Sequence, residues 1–210
     1  MTVNRGRIDK RQAILDAAFT VFARDGYRQA SVDTVAATAG VAKHTIYNHF
    51  GDKESLFRAA VAALADDALA RNLAAVDALR PDREPAEVLT EVGRKLADCY
   101  CDEKSWALRR LLHAEFGSMP ELQDIVRDRA TDKVNDALAD RLARLALAGK
   151  LRIADPAVAA EQFGALLTAP LETRSRLGTR KLTRSELDEV TDNAVQTFLR
   201  AFGPEQARSV

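Results

Sequence analysis

At 210 residues, with 47% hydrophobic and 30% charged side chains, the chain has the composition of a folded globular protein, which excludes extended disorder. A formal net charge of zero excludes a chain-wide polycation, yet residues 1–58 carry nine Lys/Arg against six Asp/Glu, a head of +3 on a body of −3. No run approaches the roughly 18 apolar residues of a membrane span. The opening MTVNRGRIDKRQ has basic residues with no apolar stretch behind them, so the expectation is a cytoplasmic protein without membrane contact.

The pattern is helical nearly throughout. Between Arg7 and Asp25, Ile14, Leu15, Ala18, Phe19, Val21 and Phe22 recur at three- and four-residue spacing, and Gly26 follows where a left-handed cap is wanted. Ser31 is an N-cap for Val32–Ala39, with Asp33 in the first turn facing the positive helix end. Gly40 stops that helix, a second short one runs from about Lys43 to Phe50, and Gly51 ends it. Asp52 then caps a long helix that starts at Lys53 and continues to about Leu79. Arg80-Pro81-Asp82-Arg83-Glu84-Pro85 is a linker, because two prolines among four charges cannot continue a helix.

Beyond the linker, cap and breaker residues predict helices over about 86–101, 105–116, 121–148, 156–176 and 184–201. Asp155-Pro156 is an N-cap with proline at the first helical position, and Thr183 with Glu186 fits a capping box. Pro170 is expected to kink or end the helix it interrupts. No alternating run appears, so the fold class is all-α, with about nine helices. Cys99 and Cys101 stand two apart, about 200° around a helix axis, and cannot share a ligand; they read as reduced thiols, and no cofactor or metal is expected.

Chemistry concentrates between Ser31 and Phe50. Two short helices hinged at Ala39-Gly40-Val41 have the form of a helix-turn-helix, and no acid lies between Asp33 and Asp52. Lys43 and His44 occupy the first turn of the second helix, the part that approaches base edges. Lysine donates to guanine O6 and N7, and histidine donates less specifically. Thr45, Tyr47 and His49 have short or rigid polar tips suited to phosphate oxygens, Asn48 shares their helix, and Lys53 begins the next one. Arg5, Arg7, Lys10 and Arg11 form a basic arm toward backbone or minor groove, or equally a solvated tail. His44 and His49 lie about 140° apart around the helix, which argues against a metal pair. Tyr47 also reads as a half-buried aromatic bridging helices.

These residues carry a resemblance. Ile14-Leu15-Asp16-Ala17-Ala18, Phe22, Gly26-Tyr27, Ser31-Val32-Asp33, Ala39-Gly40-Val41-Ala42-Lys43, Thr45-Ile46-Tyr47-Asn48-His49-Phe50 and Asp52-Lys53-Glu54-Ser55-Leu56-Phe57 make residues 8–68 similar to the DNA-binding domain of the TetR family of transcriptional regulators. The resemblance implies a three-helix DNA-reading head with its helix-turn-helix over 31–50, and a helical ligand-binding and dimerisation domain over 80–203. It places Lys43 and His44 at base-facing positions, Thr45, Tyr47, His49 and Lys53 at backbone-facing ones, and Ser31 near the backbone. Two departures stand out: His44 where glycine is common, and Ala42 where a capping serine is common, a loss of about 1 kcal/mol. Trp106-Ala107-Leu108-Arg109-Arg110-Leu111-Leu112 and the run from Gly149 to Pro156 resemble the AefR-like subgroup.

The expected partners are a double-stranded DNA operator, an unidentified small-molecule effector and a second copy of the chain. Apolar positions Phe163, Leu166, Leu167, Val195, Phe198 and Leu199 are candidates for a four-helix dimer interface, and equally for intramolecular core. Leu96, Cys99, Tyr100, Trp106, Leu112, His113, Phe116 and Met119 offer apolar surface with a few polar tips, as an effector pocket does, or as a plain core does. The function read from all this is a sequence-specific transcriptional regulator, a ligand-responsive repressor binding a palindromic operator as a homodimer. The alternatives are a regulator switched by a protein partner or by thiol oxidation, and an activator. A helical enzyme finds no H-E-x-x-H, G-x-S-x-G or phosphate-cradling glycine loop to support it.

Overall fold

The computed structural model describes residues 3–204, with side chains from Lys10 onward. Ten α-helices and no strand are present among the described residues: α1 (Val3–Gln29), α2 (Val32–Ala39), α3 (Lys43–Phe50), α4 (Lys53–Val76), α5 (Pro85–Tyr100), α6 (Glu103–Glu115), α7 (Glu121–Val126), α8 (Asp132–Leu147), α9 (Pro156–Ser175) and α10 (Arg184–Phe202). A π-turn, Arg127–Thr131, joins α7 to α8. Together these segments cover the stretch 121–148, expected as a single helix.

Most boundaries follow local chemistry. At Gly26 the backbone of α1 leaves the helical region for φ 74°, ψ 162°, a conformation open to glycine. The Ser31 side chain accepts from Thr34 N at 3.1 Å, and Gly40 closes α2 in the left-handed region. Asp52 Oδ1 accepts from Ser55 N at 2.6 Å, and this bond holds the Asp52 carboxyl below its ordinary range. Asp155 caps α9 through Ala157 N and Val158 N, and the capping box of Thr183 and Glu186 is complete.

One expectation is corrected and two are narrowed. Helix α4 ends at Val76 rather than about Leu79, because the chain tightens there into three-residue turns, Ala78 N to Ala75 O at 3.2 Å and Leu79 N to Val76 O at 2.9 Å. Pro170 does not end α9, which runs on to Ser175; the proline withholds one backbone donor while the flanking turns persist. The dimer candidates Phe163, Leu167, Val195 and Phe198 are buried within a single chain, at most 3% exposed. Helices α5, α8, α9 and α10 pack on one another there, and Phe163 meets Phe198 edge to face with centroids 5.2 Å apart. Their burial favours the intramolecular-core reading of this stripe. Leu166 and Leu199 retain part of their surface.

The chain divides into two compact units, the first of which also takes in a segment from beyond the 80–85 linker. The first extends to Asp67 and takes in Ala107–Arg129; the second comprises Ala68–Trp106 and the residues from Ala130 on. Residues 107–129 belong with the first because Leu108, Leu111, Leu112, Met119 and Leu122 share its core with Phe22, Val35, Ile46 and Phe57. Charge pairs reinforce that packing inside the unit: Arg58 bridges Glu54 and Glu121, and Arg129 pairs with Asp66.

Candidate nucleic-acid interface

Within the first unit, α3 is held from below by a single fully buried side chain, Ile46 (1% exposed), with Val41 and Phe50 partly buried against the same core. That anchor leaves the opposite face outward: Lys43, His44, Tyr47 and Asn48 are exposed, and Thr45 and His49 half-buried. Tyr47, 41% exposed, is therefore an outward aromatic rather than a bridge between helices. Val41 N donates to Ala36 O at 3.0 Å, so the Gly40 turn is tied back onto α2 and sets how α3 leaves it.

The first turns of α2 and α3 meet. Lys43 Nζ donates to Asp33 Oδ2 at 2.8 Å, and this carboxylate raises the lysine above its ordinary range. Ser31, exposed, is engaged as the cap of α2 and also lies 2.8 Å from Thr34 Oγ1. Lys53 is less free than its sequence position suggests: its Nζ donates to Arg28 O at 3.2 Å and sits 4.7 Å from the Tyr27 ring centroid, a cation–π arrangement. In the arm, Lys10 and Arg11 are exposed, with the Arg11 guanidinium 5.4 Å from the Phe50 centroid. The side chains of Arg5 and Arg7 lie outside the described residues. Helix α3 begins at Ala42 with no side-chain cap, as the missing serine predicts.

Sequence reasoning overlooked the pairing of Asp33 with Lys43 and the seat of Lys53 on Tyr27. The first was open to detection, since two short helices across a tight turn bring residues ten apart together. The second depended on how the end of α1 approaches α4.

The eight residues expected to line an effector pocket are not brought together in one unit. Leu112 and Met119 are buried in the core of the first, where His113 and Phe116 are exposed. Leu96, Cys99, Tyr100 and Trp106 belong to the second. There Tyr100 and Trp106 meet edge to face at 5.4 Å. Gly178, at φ 75°, lies so close to the Trp106 indole that a Cβ would overlap it. Burial pushes the Cys99 thiol up, partly opposed by Arg71, the reverse of what a reactive thiolate needs. Among the described residues no three His, Cys, Asp or Glu side chains converge as metal ligands. No helix among them is long and apolar enough to cross a membrane.

Comparison with known proteins agrees with this geometry. Residues 14–60 match the family described as bacterial regulatory proteins, tetR family. Residues 87–204 match the AefR-like transcriptional repressor, C-terminal domain. The chain is 31% identical over 198 residues to the transcriptional repressor Rv3405c of Mycobacterium tuberculosis, covering 92% of this chain and 91% of that one. Among solved structures, a TetR-family transcriptional regulator from Mesorhizobium loti superposes with a TM-score of 0.86 at 29% identity, over 94% of this chain and 98% of that one. The flavonoid-responsive regulator FrrA does so with a TM-score of 0.76 at 27% identity, over 94% and 99%.

Proposed function

Because the chain belongs to the TetR family of bacterial regulatory proteins, a family of transcriptional regulators and not of enzymes, we propose that it is an effector-responsive repressor that binds a two-fold symmetric operator as a homodimer. The observation that carries the reading is the outward face of α3, where Lys43, His44, Tyr47 and Asn48 are exposed over a buried Ile46. A rigid short helix with donors on its free face and apolar packing beneath suits the major groove. In this reading Lys43 and His44 meet base edges, while Ser31, Thr45, Tyr47, His49 and Lys53 meet the sugar-phosphate backbone, Lys53 with the donors that Arg28 leaves unused. Asn48 lies between the two groups. One head with so few base contacts binds weakly; two heads joined in a dimer read half-sites about one helical turn apart and gain the affinity of linked sites.

A small-molecule switch is supported by the likeness to FrrA, itself a flavonoid-responsive regulator, and by the aromatic pair Tyr100–Trp106 in the second unit. An effector that binds one arrangement of the chain better than another shifts the population away from the DNA-binding one. The raised Cys99 thiol weighs against oxidation at that residue as the signal.

Selection of bound fragments from random duplex DNA tests the reading. The expected product is an inverted repeat. Against it, Tyr47→Ala weakens all sequences alike, whereas Lys43→Ala flattens discrimination at one or two positions, each by about 1–3 kcal/mol. Recovery of no preferred sequence at moderate ionic strength overturns the assignment.

A further inference from the structure

We propose that Asp33 is a specificity-determining residue, which turns Lys43 from a phosphate-seeking cation into a positioned, charge-neutralised hydrogen-bond donor. The inference rests on the DNA-reading assignment of α3. Lys43 is the one Lys or Arg within α3, and its ammonium donates to Asp33 Oδ2 at 2.8 Å. The two side chains keep 47% and 69% of their surface exposed. Asp33 faces the positive end of α2, a role that needs no lysine beside it, and an exposed ion pair of this kind contributes little to folding. Its effect falls on binding.

An ammonium has three donors and no acceptor. The contact with Asp33 engages one and leaves two for guanine O6 and N7. The pair also biases the end of a flexible four-carbon stem toward Asp33, so the donors are presented more often at one place before DNA arrives. Affinity for any sequence comes chiefly from releasing counterions as cations neutralise phosphates. A lysine whose charge is cancelled by its neighbour gains little from a phosphate, and the carboxylate is repelled by phosphates of every sequence alike. What survives at this position is the directional bond to a base edge. Asp33 thus lowers binding to random DNA more than it lowers binding to the operator.

Two other charge pairs of the first unit differ in setting. Arg24 pairs with its own neighbour Asp25, and Arg58 ties α4 to α7. Asp33–Lys43 alone among these three involves the first turn of the recognition helix.

The test measures affinity of the full chain for the selected operator, for single-base variants of it and for random duplex, across a salt series. The proteins compared are wild type, Asp33→Asn, Asp33→Glu, Lys43→Gln and the double variant Asp33→Asn/Lys43→Gln. Asp33→Asn is expected to tighten random-duplex binding about 3- to 10-fold and to steepen the log K against log salt slope by about one. The ratio of operator to random affinity falls correspondingly. Asp33→Glu, which keeps the charge, retains the wild-type slope. In the Lys43→Gln background the Asp33→Asn substitution leaves the operator-to-random ratio unchanged, because without the lysine the carboxylate only repels phosphates, which all sequences share. A selective wild type whose operator-to-random ratio stays within about twofold in Asp33→Asn, or an equal effect with and without Lys43, overturns this inference and leaves the function standing. A wild type with no sequence preference overturns both.

Discussion

Helices α3 and α10 start from nearly the same backbone, Ala42 at φ −77°, ψ 145° and Thr183 at φ −76°, ψ 161°. They differ in almost everything that follows. At α10 the Thr183 hydroxyl accepts from Glu186 N, and the Glu186 carboxylate accepts from Thr183 N. The helix has 19 residues and buries five of them. At α3 no side chain caps the start, the helix has eight residues, and Ile46 is its one fully buried side chain. Isolated helices shorter than about 12–15 residues are marginal in water, so α3 exists because its surroundings hold it. The scaffold helix is specified locally and tertiarily at once; the reading helix relies on its tertiary neighbours. Its face is thereby left free for chemistry directed outward.

The largest effects that sharpen this contrast come from the cores. Phe198, between Phe163 and Phe202 with centroids 5.2 and 4.7 Å away, is expected to cost about 3–5 kcal/mol when replaced by alanine, read as a lowered denaturation midpoint of the second unit. Ile46→Ala is expected to cost about 2–5 kcal/mol, and hydrogen exchange should show protection lost first over α3. If α3 kept its protection in that variant, its dependence on tertiary support would be refuted.

Smaller effects come from the caps. Thr183→Ala should destabilise by about 1 kcal/mol, and Ala42→Ser should stabilise α3 by a similar amount; equal and opposite shifts in amide protection at the two helix starts would measure the contrast directly. The smallest concerns pH. Glu186 is held down to about 2, first by the hydrogen bond from Arg180 and next by the Thr183 amide. A folded-state value below the ordinary 4.5 means the carboxylate's contribution is full above about 4.5 and is lost as pH falls toward about 2. Wild type and Glu186→Gln are accordingly expected to differ in thermal midpoint above that window and to converge at its acid end.

Much of this was legible in the residues. Ser31, Gly40, Asp52, Asp155 and the Thr183–Glu186 box mark helix ends because each satisfies backbone groups within a few positions of itself. The outward set on α3 followed from the same local reasoning. The roles of Phe163, Leu167, Val195 and Phe198 did not. An apolar stripe looks alike whether its own chain or a second copy covers it, and here its own chain does. The pocket candidates fall in both units for a related reason: Leu112 and Met119 are apolar enough for either and pack in the core of the first.

The order of residues by itself determined an all-helical chain, the position of its helix-turn-helix and the membership of its family, since these depend on periodicity and on capping contacts a few residues long. The folded arrangement alone decided that Lys43 is paired with Asp33, that Lys53 rests on Tyr27 and that residues 107–129 join the first unit. Each of those outcomes turns on which side chains other elements bring within a few ångströms, a selection among many chemically adequate partners that no local pattern encodes.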